Sequence, residues 1–259
     1  MAGAGPEAFL DLAIRLADAA GPIIKRHFRS GAQILDKADL SPVTVADRDS
    51  EAAMRALIAH HAPDHGVLGE EHGADRIDAE YVWVLDPIDD TKSFVTGKPL
   101  FGTLISLTHR GIPVIGIIDQ PVLNERWIGV AGQPSRFNGR TIKTRVCADL
   151  SDAWMYATTP QMFAGADEAA YNRLAAAVKF PLYGADCYAY GLLASGWADL
   201  VCEASLKPYD WCSLVPIVDG AGGRITDWDG RNLTISSGGR VLAAGDRALH
   251  AKALKTLQG

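Results

Sequence analysis

Three acids close an apolar run in Trp83-Val84-Leu85-Asp86-Pro87-Ile88-Asp89-Asp90-Thr91-Lys92-Ser93-Phe94, the segment whose residue types point most directly to chemistry. The run predicts a strand, and Pro87 is expected to stop its ladder and fix a turn. Asp86 and Asp89 can then face one point, with the Ile88 carbonyl between them. Like charges gathered at a strand end repel, and a cation would relieve them. Mg²⁺ takes oxygen ligands in octahedral geometry and keeps some of its waters. The segment has no His or Cys, which argues against zinc. Taken alone, Asp-Pro-x-Asp also fits a plain polar turn.

Three further segments carry the same chemistry. Gly69-Glu70-Glu71-His72 puts acids at a second strand end, although alone it reads equally as a solvated loop. Thr91-Lys92-Ser93 predicts a turn opening into a short helix, whose first N–H groups could meet a phosphate oxygen while the Thr91 hydroxyl touches a water. Thr and Ser also cap helices for structural reasons alone. Pro208-Tyr209-Asp210-Trp211 starts an apolar helix with an acid, which by itself would be an N-cap worth about 1 kcal/mol.

The elements that must hold these residues are legible from periodicity. Phe9, Ala13, Leu16, Ala17, Ala20, Ile23, Ile24 and Phe28 recur at helical spacing, with Gly21-Pro22 as a candidate bend. Residues 47–60 predict a second helix with Asp47 as N-cap and Met54, Leu57 and Ile58 on one face. Strands are predicted at 66–70 and 81–85, then an antiparallel meander at 101–109, 112–119 and 125–130, and a loop at 132–140. Beyond it, strands at 154–157, 180–183, 199–202 and 240–244 alternate with helices at 167–178, 186–195, 210–220 and 246–257, and Asp186 is expected to cap the second of these helices. The first part, residues 1–145, therefore reads as α+β and the second, residues 146–259, as α/β.

Bulk properties exclude several functions. A chain of 259 residues with 48% hydrophobic content can bury a large core. Its net charge of -6 supplies no cationic surplus for a nucleic-acid backbone. No stretch is apolar enough for long enough to span a bilayer, so no membrane partner is expected. Four cysteines without Cys-x-x-Cys spacing read as free thiols of a reducing compartment, and the first ten residues lack the pattern of a secretory signal, so a cytoplasmic location is expected. Neither a Gly-x-x-x-x-Gly-Lys loop nor a Gly-x-Ser-x-Gly elbow occurs. His60, His61, His65 and His72 read as surface or loop residues, and Trp197, Trp211 and Trp228 as core or interface.

Together the acidic motifs resemble the inositol monophosphatase family of lithium-sensitive, magnesium-dependent phosphatases, over most of the chain. The resemblance rests on Thr44-Val45-Ala46-Asp47, Gly69-Glu70-Glu71, the segment from Trp83 to Thr91, and Tyr209-Asp210 with trailing Gly222-Gly223, in matching order and spacing. It implies a layered αβαβα sandwich, usually homodimeric. It implies Glu70, Asp86, Asp89, Asp210 and the Ile88 carbonyl as ligands for two or three Mg²⁺, with Mn²⁺ as a substitute. It also implies that Glu70 and Thr91, with Asp47 behind, activate the attacking water, and that the backbone at Asp90 and Thr91 binds phosphate. The second part, residues 146–259, would complete the active site. The reaction would be an in-line displacement without a phosphoenzyme. Asp90 stands where the family has Gly, and Tyr209 where it usually has Trp.

Within the family, Thr91-Lys92-Ser93-Phe94, Asp186-Cys187-Tyr188-Ala189-Tyr190-Gly191 and Lys207-Pro208-Tyr209-Asp210-Trp211-Cys212 look more like the histidinol-phosphate phosphatase branch than the inositol branch. Asp186 and Glu203, seven residues before Asp210, would suit a cationic leaving group by charge pairing. Asp186 also fits a plain N-cap. The competing substrates are inositol phosphate or another polyol ester, a sugar bisphosphate and a phosphoadenosine nucleotide, and a non-catalytic metal-binding regulator is the alternative from another class.

Overall fold

The computed structural model describes residues 6–30, 34–36 and 42–259. In chain order the elements are α1 (Leu10–His27), β1 (Ile34–Asp36), β2 (Pro42–Thr44), α2 (Val45–His61), β3 (Gly66–Gly69), β4 (Gly73–Asp75), β5 (Tyr81–Asp89), α3 (Thr91–Thr96), β6 (Gly102–His109), β7 (Ile112–Gln120), β8 (Glu125–Val130), β9 (Arg136–Phe137) and β10 (Arg140–Thr141). There follow β11 (Trp154–Ala157), α4 (Ala166–Ala177), β12 (Phe180–Tyr183), α5 (Asp186–Ala194), β13 (Leu200–Glu203), α6 (Pro208–Trp211), α7 (Leu214–Gly220), β14 (Arg224–Thr226), β15 (Val241–Ala244) and α8 (Arg247–Gln258).

Two sheets organise the molecule. The larger has eight strands in the order β10-β9-β8-β7-β6-β5-β3-β4, antiparallel except where β3 lies parallel to β5. The smaller runs β12-β11-β13-β15-β14, parallel across β12, β11 and β13 and antiparallel beyond. α1 and α2 cover one face of the large sheet, α5 and α7 fill the space between the sheets, and α8 with α4 backs the small sheet. This is the expected αβαβα sandwich, with one mostly antiparallel and one mixed sheet.

Each layer follows from its sequence pattern. Leu12, Ala13, Leu16, Ala17, Ala20 and Ile24 are buried at three- and four-residue spacing, so α1 lays one stripe on the large sheet. The middle layer approaches the sheet closely because glycines line the contact. A Cβ on Gly116 would stand 1.8 Å from the Ser213 carbonyl oxygen, and one on Gly129 would stand 2.4 Å from Ile217 N.

Several sequence expectations are corrected. Thr44, not Asp47, is the N-cap of α2. Its hydroxyl accepts from Ala46 N at 3.1 Å, and Asp47 returns a bond from the third helical position, completing a capping box. The strand at 81–85 does not stop at Pro87 but continues to Asp89. The helix expected at 210–220 is two helices, because Pro216 has no N–H for an intrahelical bond and is tolerated only in the first turn of a new helix. The loop expected at 132–140 contains the start of the β9–β10 hairpin, turned by Asn138 (φ 46°) and Gly139 (φ 78°), the residue pair that favours such turns. His65 is buried and accepts from Trp83 Nε1 at 3.1 Å, whereas His60, His61 and His72 are exposed. Trp211 and Trp228 are buried as expected, and Trp197, 55% exposed, lies outside the core, which leaves the interface half of its expectation.

Candidate active site

Asp86 and Asp89 are three residues apart, and a regular strand would point them to opposite faces. A β-bulge resolves this. Asp86 pairs with Leu104 and Asp89 with Gly102, so β5 advances three residues while β6 advances two. Pro87, which cannot donate to the ladder, sits in the bulge, and Thr103 Oγ1 donates to its carbonyl at 2.9 Å. Asp86 Oδ1 accepts from Ile88 N at 3.0 Å and so closes the local turn.

Asp210 joins these two from far along the chain. It occupies the third position of α6, not the N-cap, and its Oδ2 accepts from Lys207 N at 2.7 Å. Asp86, Asp89 and Asp210 each offer an oxygen within 4.8 Å of the others. Burial first, then mutual repulsion, raises the carboxyls of Asp86 and Asp89 well above the usual range. Burial likewise pushes Asp210 up to about 8, with Glu70 and Glu203 adding repulsion against the Lys207 amide. The donor set fits a hard divalent cation: three carboxylate oxygens gathered where buried β5 ends and α6 begins. Glu70 extends the set, since its carboxyl group meets that of Asp86.

Removing divalent ions should therefore give a protein whose stability depends on pH in a defined direction. Carboxyls with raised folded pKa values bind more protons folded than unfolded, so stability falls as pH rises from about 4 through 8. We expect the melting temperature of chelator-treated protein to drop by roughly 10 °C between pH 6 and pH 9, with millimolar Mg²⁺ flattening the slope. A scanning calorimetry series that stayed level without metal would contradict this.

The residues expected to hold water and phosphate lie beside the cluster. Thr91 Oγ1 donates to the Ile88 carbonyl at 3.2 Å. Asp47 is fully buried. Its Oδ2 accepts from Thr44 N at 2.8 Å and Thr44 Oγ1 at 2.6 Å, while its Oδ1 has no hydrogen-bond partner. Burial pushes this carboxyl up to about 6, against the two Thr44 bonds, with Glu71 and Glu70 adding to the rise. Asp90, which stands where glycine was expected from the resemblance, takes the left-handed conformation (φ 67°), and its Oδ1 accepts from Ser93 N at 3.0 Å. The Asp90 side chain thus caps α3, and the amides of Thr91 and Lys92 are left without intrahelical partners.

Residues from both halves of the chain line the adjoining pocket. A cleft of about 370 Å³ is lined by Glu70, Asp90, Thr91, Lys98, Thr158 and Asp186. A smaller hollow of about 140 Å³ shares Thr158 and Asp186 with it and adds Asp89, Tyr190, Glu203 and Asp210. Glu203 is buried at the end of β13. Its Oε1 accepts from Thr158 N at 3.0 Å and Thr158 Oγ1 at 2.6 Å, and its Oε2 from Tyr190 OH at 2.8 Å. Asp186 is not an N-cap: Ala185 holds that position, and Asp186 is the first residue of α5, at φ 41°. Burial, then the charges of Asp89, Asp90 and Glu203, pushes its carboxyl up to about 9.

The structure brings Asp47, Glu70, Asp86, Ile88, Asp89, Asp90, Thr91, Asp186, Glu203 and Asp210 into one region. The sequence reading missed Thr158 and Tyr190, which fix Glu203, and the Cys187 amide, which donates to Asp89 Oδ2 at 2.7 Å. For Thr158 no sequence signal existed, since its partner lies 45 residues away.

Known proteins compare as follows. The profile of the Inositol monophosphatase family matches residues 6–259. The chain is 51% identical over 252 residues to the bifunctional phosphatase IMPL2, chloroplastic, of Arabidopsis thaliana, covering 94% of this chain and 73% of that one. It is 33% identical over 236 residues to a histidinol-phosphatase of Chlorobaculum parvum, covering 90% and 91%. Among solved structures, an inositol monophosphatase from Zymomonas mobilis matches with a TM-score of 0.91 and 46% identity, over 99% of this chain and 100% of that one.

Proposed function

This chain belongs to the inositol monophosphatase family, and from that premise we propose that it is a Mg²⁺-dependent phosphatase acting on L-histidinol phosphate, releasing L-histidinol and phosphate in histidine biosynthesis. The observation that carries the substrate is the acidic hollow beside the acids proposed to bind metal, which Asp186 and Glu203 both line. A bound ammonium or imidazolium would offset the burial and crowding that raise the Asp186 carboxyl, hold it as a carboxylate and pair with it and Glu203, whereas a polyol needs neutral hydrogen-bonding partners. The named histidinol-phosphatase relative supports the same reading.

The roles divide between the two parts of the chain, residues 1–145 and 146–259. Asp86, Asp89, Asp210, Glu70 and the Ile88 carbonyl would hold two or three Mg²⁺, with Mn²⁺ as substitute. Bound there, the ions supply charge neutralisation and a lowered water pKa. Glu70 and Thr91 orient the attacking water, and Asp47, with one unpartnered buried oxygen, is placed to hold its proton. The amides at the start of α3, near Asp90 and Thr91, receive the phosphate oxygens. Asp186 and Glu203 bind the leaving group, so the displacement runs in line without a covalent intermediate.

A polyol ester such as inositol 1-phosphate is the second reading, favoured by the inositol monophosphatase from Zymomonas mobilis at 46% identity. Steady-state kinetics on both esters decides. We expect kcat/KM at least tenfold higher for histidinol phosphate, and a preference for the inositol ester would replace this substrate with the polyol. Absence of any Mg²⁺-dependent phosphate release would leave only a non-catalytic regulator.

Four free cysteines support a reducing compartment, of which the cytoplasm is one. Among the described residues no helix is long and apolar enough to cross a membrane. A homodimer completes the proposal, supported by the exposed aromatic pair Trp154 and Phe180, whose ring centroids lie 4.7 Å apart.

A further inference from the structure

The turn that carries Glu70 is gripped from two sides. The Glu70 amide donates to the carbonyl of Leu85, the residue before Asp86 on β5, at 3.1 Å. The following amide, Glu71 N, donates to Glu51 Oε2 at 2.7 Å, and His72 N donates to Glu51 Oε1 at 3.1 Å. Glu51 is 0% exposed. Arg55 Nε donates to Glu51 Oε1 at 2.7 Å, and Arg55 Nη2 reaches past it to the Gly73 carbonyl. The carboxylate fills the space a side chain at position 69 would need, since a Cβ on Gly69 would lie 2.0 Å from Glu51 Oε1.

Helical spacing makes this grip part of the site. Asp47, Glu51 and Arg55 are four residues apart along α2, so they form one polar stripe facing the turn, while Met54 and Ile58 are buried in the core. One helix thus carries the buried Asp47 and clamps the backbone on both sides of the Glu71 peptide. A buried ion pair is a poor stabiliser compared with apolar packing of the same volume. What this pair supplies that apolar groups could not is two acceptors aimed at consecutive amides next to Glu70.

We infer that Glu51 is a positioning residue for metal binding: it fixes the Glu70 backbone so that the Glu70 carboxylate meets the Asp86 cluster. The inference rests on the reading of Glu70 as a metal ligand. Removing an outer partner of a metal ligand costs about 10–100-fold in metal affinity. In Glu51→Gln the amide oxygen can keep the donors of His72 and Arg55 only by turning its NH₂ toward Glu71 N, donor against donor, so the turn loosens next to Glu70 while every acid of the cluster is retained.

The test is direct Mn²⁺ titration, followed by the electron paramagnetic resonance of free Mn²⁺, on the wild-type protein and the Glu51→Gln, Arg55→Gln and Glu70→Gln variants, each shown to be folded by a cooperative melt. We expect Glu51→Gln to weaken Mn²⁺ binding 10–100-fold and Arg55→Gln to weaken it less. We also expect the Mg²⁺ concentration for half-maximal activity to rise in Glu51→Gln, while kcat at saturating Mg²⁺ returns to within a few-fold of wild type. A purely structural Glu51 would lower the melting temperature and leave Mn²⁺ affinity unchanged in the folded protein, and that result overturns the inference. Should Glu51→Gln fail to fold, unchanged affinity in Arg55→Gln overturns it equally. If Glu70→Gln itself binds Mn²⁺ normally, the reading of Glu70 as a ligand fails first.

Discussion

Asp89→Asn is expected to lower kcat/KM by about 10³ or more, roughly 4 kcal/mol of transition-state stabilisation. The substitution keeps the shape of the side chain, and its amide oxygen can still accept from the Cys187 amide that now bonds Asp89 Oδ2. The bulge geometry at Pro87 does not depend on the charge. What is removed is one negative charge from the acids proposed to hold a divalent ion. The same variant should show an opposite effect on stability. With metal removed, at pH 8, repulsion between Asp89 and Asp210 is relieved, so the variant should melt higher than the wild type. Added Mg²⁺ should then raise its melting temperature less than it raises the wild type's. Near-normal turnover at limiting Mg²⁺ would refute the assignment of Asp89, and a lower metal-free melting temperature would show that its charge is not the issue.

Glu203→Gln is expected to lower kcat/KM for histidinol phosphate by about 10–100-fold, and for a neutral polyol phosphate by no more than a few-fold. The magnitude is that of a charge-assisted hydrogen bond, about 1.5–3 kcal/mol. Three donors already hold the carboxylate, two from Thr158 and one from Tyr190. A carboxylate has about four acceptor sites, so about one remains for a ligand in the hollow. Gln preserves the volume, and the Thr158 and Tyr190 hydroxyls can rotate to accept from its amide, so the fold should be little affected. The loss should fall on the cationic ester because only that substrate brings a charge to pair. Equal losses on both esters would mean that Glu203 supports the pocket without reading the leaving group. Tyr190→Phe, which frees one Glu203 oxygen without changing the charge, should cost less than Glu203→Gln on the cationic ester.

The acids of the site were legible because local pattern governs them. A run of apolar residues ending in Asp86-Pro87-Ile88-Asp89 can be read as a strand end without knowing what it packs against, and so can Gly69-Glu70-Glu71. The meander of β6, β7 and β8 and the stripe of α1 were legible for the same reason, since periods of two and of about 3.6 residues are written within a single element. Asp186 was legible as an acid near the site but not as to its job. N-capping and pocket-lining use the same residue type at nearly the same position, and only its place as the first helical residue, at φ 41°, separates the two.

By itself, then, the sequence determined the long helices and the main strands, the αβαβα layering through its resemblance, and the carboxylates of the candidate site, but not short elements such as β1, β2, β4, β14 and the β9–β10 hairpin. The tertiary structure decided how they face one another. The bulge that brings Asp86 and Asp89 to one side exists only in register with β6. The grip of Glu51 on the Glu70 turn spans 20 residues, and the tie between Thr158 and Glu203 spans 45. The exposure of Trp197 and the burial of His65 were likewise settled by neighbours from other elements. The physical reason is that side-chain periodicity encodes which face of an element is apolar, whereas the partner of a polar group is chosen by packing among elements distant in the chain, which leaves no mark on local composition.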